Sequence, residues 1–282
     1  MEYTIRQMRR EELPIALEWA RQEGWNPGIG DATSFYLADP SGFYIGLLGD
    51  MPIAVGSAVL YSDSYAFCGL YIVKPKFRGR GYGMALTQER LCRVGKRVTG
   101  IDGVLENVAK YQKIGYQPFY KQIRYELAGP RAFSECPATI QRAEALPLRK
   151  LEAFDAEHFP APRSAFLSSW IRQEGATALA HCEGGEVNGF GVVRRCHRGY
   201  KVGPLFARSP EVAHLLFEAL CMQADGEGPL YLDLPENNNA AQRLAQHYGM
   251  EPCFTVMRMY RGGAPEATLQ HEVYGITTFE LG

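Results

Sequence analysis

"YIVKPKFRGRGYGMALTQ", Tyr71 to Gln88, decides how the rest of the chain is read. An apolar run meets Pro75. Gly79, Gly81 and Gly83 then alternate with arginine and tyrosine, and a helical pattern begins among them. Glycine is a poor helix starter. What it offers is main chain without a side chain. The first N–H groups of a helix lack intrahelical partners, and the helix dipole favours negative charge there. A strand feeding a glycine-rich turn into a helix is therefore an anion site, where backbone amides approach a phosphate. Arg78 and Arg80 add positive charge to it.

The spacing narrows the ligand. A dinucleotide fingerprint, GxGxxG, fails because Met84 stands where the third glycine belongs. A nucleoside-triphosphate loop needs a lysine after its glycines, and none follows. The pattern left is R-x-x-G-x-G, from Arg78, Gly81 and Gly83. Lys74 to Arg97 holds eight Lys or Arg and one acid, Glu89, within a chain of net charge −1. A small polyanion explains this island. Nucleic acid does not, because only Phe77 and Tyr82 offer aromatic stacking near it.

"LYIVKPKFRGRGYG" resembles the signature of the GNAT superfamily of acetyl-CoA-dependent N-acetyltransferases. That signature is an apolar strand, a turn, then (Arg/Gln)-x-x-Gly-x-(Gly/Ala) opening a helix. The resemblance implies acetyl-CoA as cosubstrate, held by Tyr71, Ile72, Val73, Arg78, Gly79, Arg80, Gly81, Tyr82, Gly83, Met84 and Asn107. It implies an amine acceptor attacking the thioester directly. Tyr111, Gly115 and Tyr116 match a second family feature, Tyr-x-x-x-Gly-(aromatic), which makes Tyr111 the acid for the departing thiolate. The backbone near Ile72 and Val73 would polarise the thioester carbonyl.

The pattern also occurs twice. Gly115/Gly249, Pro118/Pro252 and Arg124/Arg258 recur at an offset of 134, and "TIRQMRREELP" from Thr4 resembles "TIQRAEALP" from Thr139. The expected fold class is α/β: tandem GNAT folds, each a mostly antiparallel mixed sheet flanked by helices. The expected units are 1–130, which binds the coenzyme, and 131–282, a degenerate copy, joined near Leu127–Pro137. At the same offset Gly69 falls on Gly203, the phosphate loop falls on "VAHLLF" (Val212–Phe217), and Tyr111 falls on Ala245. The second copy is thus expected to lack a coenzyme site and to build or shield the acceptor site, or to support a dimer. The tail "EVYGITTFELG" reads as a last strand docking on one of the copies.

A primary amine is mostly protonated at pH 7, so a proton acceptor is required. Asp102, a carboxylate in the apolar run "VTGIDGVL", is the candidate base, with Glu106 second. "EGWNPGIGDATSFY" offers Trp25, Asn26, Asp31 and Tyr36 as acceptor-binding residues, and Phe35 as core. Composition limits the partners. No apolar run approaches the roughly 18 residues of a membrane span. The N-terminus has no apolar signal core, so a cytoplasmic location is expected. Seven cysteines lack a CxxC pair. The pairs His181–Cys182 and Cys196–His197 point neighbours to opposite strand faces, so no metal is expected. The oligomeric state is open, a homodimer being one option. The alternative to an enzyme is a non-catalytic acyl-CoA sensor or interaction module.

Overall fold

A computed structural model describes residues 1–129, 137–224, 228–265 and 268–282; residues 130–136 of the expected linker lie outside them. The first half runs β1 (Tyr3–Gln7), α1 (Leu13–Gln22), α2 (Asp31–Ala38), β2 (Phe43–Leu48), β3 (Met51–Ser57), β4 (Val59–Leu60), β5 (Tyr65–Phe67) and β6 (Ile72–Val73). It continues with α3 (Tyr82–Val94), β7 (Val98–Val104), α4 (Val108–Lys113) and β8 (Gln117–Leu127). Local reasons are plain. α1 starts with Pro14 in its first turn and buries Leu13, Ala16, Leu17 and Ala20, one face at helical spacing. β2 and β3 form a hairpin closed at Leu48↔Met51, with Gly49 at φ +61° in the turn.

One expected strand, Cys68–Val73, is broken. β5 pairs parallel with β7, whereas β6 pairs antiparallel with β3. Between them Leu70 has φ +47°, in the left-handed region. The chain leaves one sheet and joins another at this bulge, and a cleft opens between them.

The second half repeats the order: β9 (Ile140–Arg142), α5 (Leu148–His158), α6 (Ser164–Trp170), β10 (Ala176–Glu183), β11 (Glu186–Arg195) and β12 (Tyr200–Ala207). Then follow α7 (Pro210–Cys221), β13 (Leu230–Pro235), α8 (Asn239–His247), β14 (Glu251–Arg261) and β15 (Val273–Gly275). The fold is therefore α/β, with mostly antiparallel sheets flanked by helices, built twice.

The two halves share one sheet. A four-stranded sheet has the order β1-β2-β3-β6, and an eleven-stranded sheet runs β4-β5-β7-β14-β8-β13-β12-β11-β10-β9, with β15 beside β12. Strand β14 of the second copy thus lies between β7 and β8 of the first, and β8 reaches across to β13. The repeat becomes a pseudo-twofold exchange of strands. Arg258 stands opposite Asp102, and Arg124 stands opposite Asp233. Each pair is a buried bidentate ion pair: Arg258 donates to Asp102 at 2.6 and 2.8 Å, and Arg124 donates to Asp233 at 2.6 and 2.7 Å. The arginines that recur in the sequence therefore bind the opposite half.

The helices obey the same symmetry. Ser34 Oγ of α2 lies 2.8 Å from Ser169 Oγ of α6, and Phe35 stacks on Trp170 with centroids 6.2 Å apart. One apolar core spans both halves here, joining Phe35, Phe43 and Leu70 to Phe166, Trp170 and Phe190. This self-complementary contact has the form of an isologous dimer interface within one chain. No helix among the described residues is long and apolar enough to cross a membrane.

Candidate active site

The expected phosphate loop sits at the mouth of the cleft. After β6, a short turn at Pro75–Phe77 leads to Arg78, and Gly81 caps α3. Gly79 and Gly81 have φ +74° and +87°, and a Cβ at either would meet nothing within 4 Å. Backbone conformation, not space, requires glycine there. Gly83 differs: a Cβ on it would collide with the Tyr71 hydroxyl, so that position requires space. The first turn of α3 has no side-chain cap and no acid, so its leading N–H groups face outward unsatisfied by side chains. Arg78 is anchored: its Nε donates to the Val73 carbonyl at 2.8 Å and its guanidinium pairs with Glu23.

Behind the loop lies a cavity of about 730 Å³. Tyr71, Ile72, Val73, Arg78, Gly79 and Gly81 line it, as do Gly83, Met84, Asn107 and Tyr111. Arg80 and Tyr82 are not on its wall. Arg80 points to solvent, and the Tyr82 ring packs on Tyr3 at 4.7 Å. Asn107 accepts a hydrogen bond from Lys110 Nζ at 2.8 Å. The Tyr111 ring lies against β7 where Gly103 leaves room for it. Burial raises the Tyr111 phenol above its ordinary value, against a smaller opposite pull from Arg90. It stays protonated at neutral pH.

The candidate base, Asp102, lines the cavity and is paired there with Arg258. The Asp102 side chain is fully buried and both its oxygens accept from Arg258. Burial raises this carboxyl and Arg258 lowers it, with burial prevailing. Its repeat equivalent, Asp233, makes the same pair in the half without a glycine loop. The pairing occurs in both halves, and it ties each Asp102 oxygen to Arg258 at the wall of the cavity. Glu106 is exposed on the rim of the cavity.

Of the four acceptor candidates, only Trp25 lines the cavity. Asn26, at φ +50°, clamps the second half: its Nδ2 donates to the Arg198 carbonyl and its Oδ1 accepts from the Arg198 N–H, both at 2.9 Å. Asp31 is buried, accepting from Gly28 N at 2.8 Å and from Arg194 Nε at 3.0 Å. Tyr36 packs against the shared core. Asn26 and Asp31 thus join the two halves. A polar residue in a loop reads the same in sequence whether it meets a ligand or a distant strand.

The inner wall comes from the second half. Phe254 and Val256 of β14 and Phe279 and Glu280 of the tail line the cavity beside Trp25 and Ile101. The sequence reading missed them. The one signal was an acid inside an apolar tail, "ITTFELG". Among the described residues no cluster of three His, Cys, Asp or Glu is placed to hold a metal.

The corresponding helix start of the second half is built differently. Its loop aligns by helix start, not by the 134 offset: Ser209 caps α7 where Gly81 caps α3. Ser209 Oγ accepts from Val212 N, and Glu211 occupies the first turn. The phosphate loop therefore maps onto Phe206–Glu211 rather than Val212–Phe217, and its glycines are absent from that stretch too.

The comparisons agree with this geometry. A model of the acetyltransferase (GNAT) family matches residues 4–122, and a model of the acetyltransferase (GNAT) domain matches residues 151–275. A holothin acyltransferase of Pseudoalteromonas sp. (strain SANK 73390) is 33% identical over 281 residues, covering 99% of this chain and 95% of its own. The chain belongs to the GNAT acetyltransferase family, as a tandem of two such domains, and is an acyltransferase. In fold it is similar to a Pyrococcus horikoshii protein assigned as an acetyltransferase, at TM-score 0.83 and 24% identity over 99% of this chain and 96% of that one. A tandem GNAT protein from the clavulanic acid biosynthesis pathway superposes at TM-score 0.63 with 13% identity, covering 94% and 100%.

Proposed function

We propose that the protein transfers an acetyl group from acetyl-CoA to a primary amine, by direct attack within a ternary complex. The carrying observation is one continuous cavity. It starts at the uncapped, glycine-built N-terminus of α3, passes Tyr111, and ends in an apolar chamber made by both halves.

The coenzyme diphosphate takes the amides of the loop from Arg78 to Met84, where the dipole and free N–H groups favour it. The pantetheine arm follows the bulge between β5 and β6. There the backbone near Ile72 and Val73 polarises the thioester carbonyl. The amine enters beside Trp25 and attacks the carbonyl carbon. The C–N bond forms and the C–S bond breaks. The thiolate leaves with its electron pair and takes the phenolic proton of Tyr111. The proton shed by the new amide nitrogen restores the phenol. The buried phenol holds its proton until that moment, which suits it as the acid. The aligned holothin acyltransferase supports acyl transfer as the reaction class.

The test is a thiol-release assay of acetyl-CoA with a panel of amines. The expected result is turnover with at least one amine and loss of about a hundredfold or more in kcat for Tyr111→Phe. Tight coenzyme binding with no thiol release from any amine would favour a sensor instead.

A further inference from the structure

We propose that Glu280, in the C-terminal tail, is the catalytic carboxylate that binds the acceptor as its ammonium ion and removes its proton. This rests on the acetyl-transfer reading above and names the substrate class for that same cavity: cationic primary amines with an apolar body.

Glu280 is 2% exposed, it lines the cavity, and neither carboxylate oxygen has a hydrogen-bond partner among the described residues. A buried carboxylate without a partner is costly. The other buried carboxylates are all engaged. Glu12 binds Arg6, Asp31 binds Arg194, Asp155 binds Arg163, Asp233 binds Arg124, and Glu272 binds His158 and Arg208. The Asp102 side chain binds Arg258. Among the buried carboxylates of the described residues Glu280 alone keeps both oxygens free, and it does so at the wall of this cavity.

The carboxylate is also held in place. Glu280 N and Leu281 N both donate to Thr278 Oγ1, at 3.1 and 3.0 Å. Tyr61 donates to the Leu281 carbonyl at 2.9 Å. The Glu280 carbonyl rests against Gly69, where a Cβ would collide with it. Gly69 begins the bulge whose far end, Ile72–Val73, carries the thioester in the reading above. The tail thus fixes an acid beside the electrophile. Phe279, Phe254 and Trp25 supply an apolar surround for the rest of the amine. The charged groups that feel Glu280 electrostatically include Arg124 on β8, Asp102 on β7 and Lys201 on β12. Arg124 and Asp102 are neutralised by their own partners. Lys201 Nζ donates to the Asn26 carbonyl at 3.0 Å.

The step balances. R–NH3+ gives one proton to the carboxylate, leaving R–NH2 and a neutral Glu280. The nitrogen lone pair attacks, and the steps at Tyr111 follow as above. Glu280 releases its proton to water when the amide leaves.

The experiment compares wild type with Glu280→Gln and Glu280→Asp. Three readings are taken: thiol release from pH 6 to about 10, acetyl-CoA affinity, and binding of phenethylammonium to the CoA complex by calorimetry. For Glu280→Gln, kcat/KM at pH 7 is expected to fall about 10²- to 10⁴-fold while acetyl-CoA affinity stays within about twofold. The deficit should shrink toward high pH, as the free amine forms near its pKa of about 10.4. Phenethylammonium binding should be lost in the Gln variant. Glu280→Asp keeps the charge and should show an intermediate rate with binding retained, which separates charge from folding. Equal rates for wild type and Glu280→Gln across the pH range overturn the proposal and leave acetyl transfer standing. Ammonium binding that depends on Glu280, without turnover in wild type, overturns acetyl transfer and keeps the site. Absence of both in wild type overturns both.

Discussion

The molecule contains the same cleft twice, once open and once filled by its own chain. In the first half the strand breaks at Leu70, β6 turns away from β7, and the gap leads to the glycine loop. In the second half β12 runs on and pairs parallel with β13 at Tyr200–Val202. Beyond that point β15 takes the place beside β12, and Ile276 N donates to the Asp233 carbonyl on β13 at 2.8 Å. The tail thus hydrogen-bonds to both strands there. At the helix start the same contrast appears: Gly81 leaves amides free, whereas Ser209 and Glu211 occupy the equivalent turn. One fold serves as receptor or as scaffold depending on what satisfies the groups at one strand edge and one helix end.

The comparison breaks first on stoichiometry, an all-or-none effect. Calorimetric titration should give one acetyl-CoA per chain, and a value of two would show that the filled cleft opens. Next in size are the exchanged ion pairs. Arg258→Met and Arg124→Met each leave a buried carboxylate unpaired, so each should destabilise by about 3–5 kcal/mol in chemical denaturation. Asp102→Asn and Asp233→Asn should then behave as a matched pair, with kcat per folded molecule within a few-fold of wild type for both. A large kcat loss confined to Asp102→Asn would give that residue a chemical role its counterpart lacks.

Acid provides a third test. Burial raises the Asp233 carboxyl, but Arg124 outweighs it and the net shift is downward. A carboxyl held low in the folded state contributes stability that is present above its unfolded value of about 3.9 and is lost as pH falls through its folded value. The melting-temperature gap between wild type and Asp233→Asn should therefore be full at neutral pH and close only below about pH 4. The smallest expected effects concern the two caps. Gly81→Ala forces an alanine to φ +87°, at a cost of about 1–2 kcal/mol, and should weaken acetyl-CoA binding roughly tenfold. Ser209→Ala should cost about 1 kcal/mol of stability and leave acetyl-CoA affinity unchanged.

Much of this was legible in residues 69–116. The glycine loop is local in origin, because left-handed φ values and uncapped amides depend on near neighbours. The repeat was legible too, and the Gly69/Gly203 match has a physical reason. Both glycines make room for the same tail: a Cβ at Gly203 would collide with the carbonyls of Ile276 and Thr277, as one at Gly69 would with that of Glu280. The acceptor side was not legible. Asn26 and Asp31 meet Arg198 and Arg194, which are far away in the chain. Asp102 reads as an isolated acid until Arg258 arrives on an exchanged strand. The 134 offset holds for β8 and β14 but slips at the helix starts, where the loops differ in length.

The sequence by itself determined that the chain folds twice on one plan and that the glycine-built helix start belongs to the first copy. Both follow from short-range backbone physics. Only the tertiary structure decided which acid is free. A carboxylate's role depends on whether a cation reaches it, and here the cations come from across the exchange: three of them close Asp31, Asp102 and Asp233, and none of them closes Glu280.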